Sequence, residues 1–387
     1  MVHFVLSTFA CIAGIAIIHW LHNQYHLDIA VTPTLFPPPY PLISIIVPAR
    51  NEERNIRRCV EALLAQIYPN LEFVLVDDRS TDATPQILAE LAARDPRLRL
   101  VRGAELPTDW AGKSHALWQG VSAVRGDWLC FMDADTFAAP LLISSVYATS
   151  QKYQSDLFTI MTTQEMGTFW EKTVLPLVLT ALSVGFSPRR VNDPNKPDAI
   201  ANGQFILIRR EVFEKIGGHA AIKGSIVEDR DLAQRVKRAG YRLVIADGRA
   251  LARTRMYTSL PEMWEGWTKN IFIGLRAEAG LMLLGVFGAL LNLTAALAMP
   301  FWSLAGYSWL VAGGGWQAVL VIVESLLVWG YLLWMRALAA CDLGISPLYA
   351  FTTPLGAAVF AALMFASAFK VLSGRGVIWK GRRYHGS

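Results

Sequence analysis

The sequence predicts an α/β fold, a sheet with helices on both faces, and membrane-spanning segments at both ends of the chain. Three observations carry this. Between residues 42 and 270, short β-rich runs alternate with helical patterns, the arrangement that builds a parallel sheet. Several of those runs end in carboxylates. Both flanks are apolar, so that the 387-residue chain is 53% hydrophobic and only 17% charged, with a mean hydropathy of +0.34, against roughly 25% charged residues in ordinary soluble domains.

Residues 4–21 are long enough to span a bilayer. They lack the basic n-region and small-residue cleavage site of a signal peptide, so an uncleaved anchor is expected over 1–22. Residues 32–41 contain Pro37-Pro38-Pro39 and predict a stiff, extended linker. Residues 42–47 read as the first strand. A helix over 52–66 follows from apolar residues at Ile56, Val60, Leu63 and Leu64, with Ile67 just beyond. Residues 73–76 are a second strand and 81–93 a second helix, with Asp82 as its cap. Strand 98–101, helix 114–124 and strand 128–132 come next. Residues 199–208 and 242–245 add strands, and a helix over 229–239 ends at Gly240. The soluble domain is expected over 42–275.

Residues 169–186 are apolar and nearly long enough to span, but Glu171, Lys172 and Pro176 interrupt them. They predict a helix lying in the membrane interface or lining a lipid-access groove. Three candidate spans, near 281–304, 316–334 and 348–371, form a C-terminal membrane region over 281–372. The tail, 373–387, is basic. With a cytosolic domain, three spans place that tail outside, against the positive-inside rule. A further span within 301–315, or a re-entrant segment, would resolve the conflict. The net charge of +5 is small and its basic residues are mixed with acids, which argues against a nucleic-acid partner. Four cysteines, Cys11, Cys59, Cys130 and Cys341, form no C-x-x-C pair; they read as small buried hydrophobes in a reducing compartment.

The chemistry is carried by strand ends. Val47-Pro48-Ala49-Arg50-Asn51-Glu52 ends the first strand, at the edge where open α/β sheets bind ligands; a structural turn explains the proline and asparagine equally well. Val76-Asp77-Asp78-Arg79-Ser80-Thr81-Asp82 ends the second. Asp77 and Asp78 suit a base or ribose, while Ser80, Thr81 and Asp82 also suit helix capping. Phe131-Met132-Asp133-Ala134-Asp135 places two carboxylates at i and i+2, which repel unless a cation lies between them. That pair predicts a divalent metal, Mg or Mn, on a diphosphate. Gly112-Lys113-Ser114 lacks the full phosphate-loop spacing, yet Lys113 near a helix N-terminus suits a phosphate. Glu228-Asp229 precedes a helix, either as first-turn acids or as a general base for an acceptor hydroxyl.

In this order the motifs resemble the family 2 inverting glycosyltransferases, over roughly 42–270. The resemblance implies a GT-A fold, with a Rossmann-like mixed sheet. It implies a donor site at Pro48, Ala49, Arg50, Asn51, Glu52, Asp77, Asp78, Lys113, Asp133, Ala134 and Asp135, a metal on Asp133 and Asp135, and catalysis by Asp229 with Glu228. Where processive members and ceramide glucosyltransferases carry Q-x-x-R-W, this chain has Met263-Trp264-Glu265-Gly266-Trp267. That departure argues against polymerisation. The run Arg255-Met256-Tyr257, with residues 264–270, is similar to membrane-bound enzymes of hopanoid and carotenoid glycosylation, and implies Trp264 and Trp267 on the acceptor side. The expected activity is inverting, metal-dependent transfer of a sugar from a nucleotide-diphosphate donor, a UDP-hexose, to the hydroxyl of a membrane lipid. The expected place is the inner or plasma membrane, with a cytoplasmic catalytic domain. The alternatives are a processive polysaccharide synthase and a catalytically inactive membrane scaffold.

Overall fold

The computed structural model describes residues 27–185, 187–277, 297–373, 377–379 and 382–384. The expected anchor over 4–21, most of the expected span near 281–304, and Cys11 lie outside them. The chain divides into two compact units, one from His26–Glu165 with Phe186–Met256, the other from Met166–Gly185 with Tyr257–Ser387 and Met1–Tyr25.

The first unit is built on a seven-stranded sheet of order β3-β2-β1-β4-β8-β6-β9. Its strands are β1 Ile43–Ala49, β2 Leu71–Asp77, β3 Leu98–Arg102, β4 Trp128–Met132, β6 Leu157–Met161, β8 Phe205–Arg209 and β9 Leu243–Asp247. Only β8 runs against the rest; it is antiparallel to both β4 and β6. Three short strands, β5 Thr136–Ala138, β7 Thr163–Gln164 and β10 Ala252–Thr254, form a second sheet.

The apolar runs are continuous because both faces are covered. On β1, Ile43, Ile45 and Val47 enter one core while Ile46 enters the other. β4 alternates in the same way, with Trp128, Cys130 and Met132 on one side and Leu129 and Phe131 on the other. This is the two-residue period of a strand read out twice. Pro48 is tolerated in a central strand for a specific reason. β1 pairs with β4 only from Ile43 to Ile46, so the proline lies beyond the last rung and removes no bond on that side. The chain moves outward from β1 to β3 and then returns to place β4 on the other flank of β1. The crevice at that reversal is the topological switch point of an open α/β sheet.

Several expectations are refined. The strand expected over 199–208 begins only at Phe205, because residues 202–204 turn toward the sheet's carboxyl edge. The linker is not a free spacer. Thr34 N donates to Ser145 Oγ at 2.8 Å and Phe36 N to Ser144 Oγ at 2.7 Å, and Phe36 packs edge-on against Tyr147. Cys59 and Cys130 are buried free thiols, but Cys341 is exposed, so it does not read as a buried hydrophobe.

In the second unit, helices Gly315–Asp342 and Thr353–Leu372 are apolar. By length and composition, Gly315–Asp342 and Pro347–Lys370 suffice to cross a membrane. Helix Phe169–Gly185 packs against Thr353–Leu372 at Gly356, where a Cβ would lie 2.5 Å from Thr173 O. Residues 297–311 are also helical.

Candidate active site

Four loops converge on the carboxyl edge of β1, β2 and β4. The first two are stapled together. Asn51 N donates to Ser80 Oγ at 3.0 Å and Thr81 N donates to Asn51 Oδ1 at 2.8 Å. Asp82 Oδ2 accepts from Glu53 N at 3.1 Å, and Thr84 Oγ1 from Glu52 N at 2.8 Å. Arg50 Nη1 donates to Asp78 O at 2.7 Å. Ser80, Thr81 and Asp82 therefore serve loop-to-loop bonding; helix Thr84–Arg94 has Ala83, not Asp82, at its N-cap, and Asp82 contributes only by accepting from Thr84 N at 3.0 Å. Asn51 and Arg79 hold φ of 53° and 58°, a left-handed conformation that non-glycine residues adopt sparingly and that clusters at functional sites. Asp77 and Asp78 are buried beneath this rim. Asp77 Oδ1 accepts from Ser80 N at 3.1 Å.

The centre of the site is an ionic cluster. Lys113, in the first turn of helix Gly112–Val121, places Nζ 2.7 Å from Asp133 Oδ1 and 2.7 Å from Glu228 Oε1. Asp229 lies beside them, at the start of helix Glu228–Arg238. Its Oδ2 accepts from Gly203 N at 2.9 Å and its Oδ1 from Arg230 N at 2.7 Å. Pro48 and His219 also line this pocket.

The cluster perturbs its own protonation. Burial, aided by Glu228, pushes the Asp229 carboxyl up to about 6, against the opposing pull of Lys113. Burial also raises the Asp133 carboxyl, and Lys113 draws it back. For Lys113, burial works toward neutrality, but Asp133, Glu228 and Asp229 outweigh it and hold the ammonium well above its usual range. His219 is pushed down to about 4 by burial and packs edge-on to Phe131 at 4.8 Å, so it is neutral near pH 7.

Sequence reasoning missed Gly203. A Cβ there would lie 2.9 Å from Asp229 Oδ2 and 3.1 Å from Lys113 Nζ. Glycine is needed because two charged side chains pass against the backbone. Asn202-Gly203 is a turn signal, but nothing in the sequence announces what the turn touches. A buried polar network behind it was also missed. Gln204 Oε1 accepts from Thr162, from Gln164 Nε2 at 3.1 Å and from Asn202 Nδ2 at 3.2 Å.

Of the expected site residues, Pro48, Lys113, Asp133, Glu228 and Asp229 share one pocket. Ala49, Arg50, Asn51 and Glu52 belong to its stapled rim, Asp77 and Asp78 are buried beneath that rim, and Ala134 and Asp135 follow Asp133 before β5. Trp264 and Trp267 belong to the other unit, on helix Leu260–Ala277. There Trp267 is buried, 6.0 Å from the Tyr257 ring. Among the described residues, no three His, Cys, Asp or Glu side chains converge as a cation cage. Asp133 and Asp135 still suit a hard cation, which is commonly held by one or two carboxylates together with substrate phosphates.

Residues 44–217 match the family model for glycosyl transferase family 2. This segment is a family 2 glycosyltransferase domain. Over 238 residues the chain is 28% identical to the 4,4'-diaponeurosporenoate glycosyltransferase of Staphylococcus haemolyticus, covering 60% of this chain and 61% of the relative. Over 200 residues it is 31% identical to the beta-monoglucosyldiacylglycerol synthase of Nostoc sp., covering 51% of this chain and 41% of that one. Both matches span less than two thirds of those relatives. Among solved structures, the mannosyltransferase PcManGT of Pyrobaculum calidifontis, in complex with GDP-Man and Mn2+, aligns with a TM-score of 0.54 at 18% identity, over 96% of this chain and 97% of that one. The family 2 domain thus has the GT-A fold that its motifs implied.

Proposed function

We propose that the protein transfers a sugar, with inversion, from a nucleotide-diphosphate donor to the hydroxyl of a membrane lipid. The observation that carries this is the Lys113 ammonium between Asp133 and Glu228, with the Asp229 carboxyl beside it pushed up to about 6. A carboxylate with that affinity for protons is a better base than an ordinary aspartate, yet is ionised near neutrality. The names of the two relatives refer to a carotenoid-type acid and a diacylglycerol, which favours a lipid acceptor. PcManGT was solved with a nucleotide sugar, which favours a donor of that class; the acids Asp77 and Asp78 beneath the rim suit its ribose or base.

Asp229 takes the proton from the acceptor hydroxyl as the oxygen attacks the anomeric carbon. The bond to the diphosphate breaks on the opposite face, so one protein base suffices. Gly203 N and Arg230 N orient the Asp229 carboxylate. Lys113 leaves its ion pairs to meet the diphosphate, or remains to hold Asp133 in place. Asp133 and Asp135 would hold a divalent cation, which when bound neutralises charge on the departing diphosphate. The Met263–Trp267 run favours single transfer over polymerisation, and the intact acids favour an enzyme over an inert scaffold. The test is a nucleotide-sugar panel with membrane lipid extract, read by product mass. Absence of any glycosylated lipid across the panel, with donor still bound, would refute this function.

A further inference from the structure

Helix Phe169–Gly185 contains Pro176. A proline has no N–H, so the carbonyl four residues earlier, Lys172 O, loses its helical partner. Arg336, on helix Gly315–Asp342, replaces that partner: its Nη2 donates to Lys172 O at 3.0 Å. Arg336 as a whole is only 6% exposed, yet this bond uses one of the three guanidinium nitrogens. Among the described residues, Nε and Nη1 have no acceptor. Capping a carbonyl explains Nη2 and leaves the other two unexplained, and buried unsatisfied donors on a cation are costly.

The surroundings indicate what would satisfy them. Arg336 lies six residues before the end of its helix, about 9 Å of rise, a depth near the headgroup boundary if the helix spans. Trp329, Leu332 and Leu333 lie seven, four and three positions earlier, on the same helical face. With Phe351, Thr353 and Pro354 they line an apolar cleft of about 90 Å³. A second cation, Lys172, sits with Nζ 5.8 Å from the Tyr349 ring. Charge at one end and an apolar cleft alongside match an amphiphile rather than a free anion.

We propose that Arg336 anchors a binding site for the oxyanion of a membrane lipid headgroup, with part of the lipid chain in the adjoining cleft. The site rests on the membrane placement of this unit and is independent of the sugar-transfer reading. The test is native mass spectrometry of the full-length protein from nanodiscs holding equal phosphatidylglycerol and phosphatidylcholine. The wild type should retain phosphatidylglycerol with roughly tenfold preference, the scale of a charge-assisted contact. Arg336→Met should lose the preference. Pro176→Ala restores the backbone N–H and removes the need for a cap, so the double variant Pro176→Ala, Arg336→Met separates the two roles. A binding role predicts a stable protein without preference; a return of the preference would reduce Arg336 to a structural cap and overturn the proposal. Should the double variant not assemble, phenylglyoxal labelling of wild-type Arg336 decides: protection by phosphatidylglycerol alone supports the site, and equal labelling with both lipids refutes it. Displacement of the lipid by millimolar inorganic phosphate would refute a lipid source. Recovery in the membrane fraction reports membrane placement separately.

Discussion

At the residue scale, the site is governed by three carboxylates around one ammonium. Asp229→Asn should cut transfer by about 10²–10⁴-fold, the usual loss for a general base, while donor binding by calorimetry is retained. Loss of donor affinity to the same degree would place Asp229 on the donor side. Burial has raised the Asp229 pKa to about 6, so the base is ionised above that pH and kcat/KM should fall as pH drops through it. Lys113 opposes this rise. Lys113→Met should therefore move the acid limb of the pH profile to higher pH as well as weaken donor binding; an unmoved limb would break the assignment. The raised pKa has a stability consequence of defined sign. The folded state binds this proton more tightly than the unfolded chain, so ionised Asp229 costs stability as pH rises from about 4 toward 6. Much of this was legible in the sequence, because carboxylates after apolar strands have few structural uses. Gly203 was not, because its role depends on Asp229 and Lys113, which are distant in sequence and meet only in the fold.

At the element scale, β1, β2 and β4 were readable because both faces of a parallel sheet are buried and each is a nearly unbroken apolar run, whereas the edge strand β3, Leu98–Arg102, was readable from its β-rich run between two helices. β6 was missed although Leu157–Met161 is just such a run. A short apolar run is ambiguous between strand and helix, and its flank Gln154-Ser155-Asp156 carries no glycine or proline to decide it. β5, β7 and β10 are only two or three residues long, too short for any period to register. The turn before β8 gives a test of element placement. Gly203→Ala adds a methyl 2.9 Å from Asp229 Oδ2 and should lower kcat by displacing the base, with little change in Tm because the turn is at the sheet edge. A fall in Tm with unchanged kcat would show that the close approach matters to folding alone. Gly356→Ala is the structural counterpart. Its Cβ would meet Thr173 O at 2.5 Å, forcing two helices apart at a cost of about 1–3 kcal/mol, read as a lower Tm in detergent with donor binding unchanged.

At the scale of the whole molecule, the second unit is distinguished by apolar side chains turned outward. Leu327, Trp334, Phe365 and Phe369 are each more than half exposed, and an aqueous surface rarely carries so many large apolar groups on neighbouring helices. Two of these helices are long and apolar enough to cross a membrane; we propose that a bilayer covers these side chains, and on that reading the chain should stay in the membrane pellet after carbonate washing. Helix Phe169–Gly185 then becomes the element to test for acceptor access. Glu171 is committed to capping its own helix, accepting from Gly167 N at 3.0 Å. Pro176 weakens the helix internally. Leu177 and Leu179 are only partly buried, as expected of side chains that meet lipid on one side. Replacing both with serine should reduce transfer to a long-chain lipid several-fold more than slow hydrolysis of the donor, because hydrolysis needs only the family 2 site. If the leucines serve only to pack their unit, the variant loses Tm, and transfer to a short water-soluble acceptor falls in proportion to transfer to the lipid. Equal losses on the two acceptors would therefore remove the bilayer from the acceptor's route, whereas a loss confined to the lipid would place this helix on it.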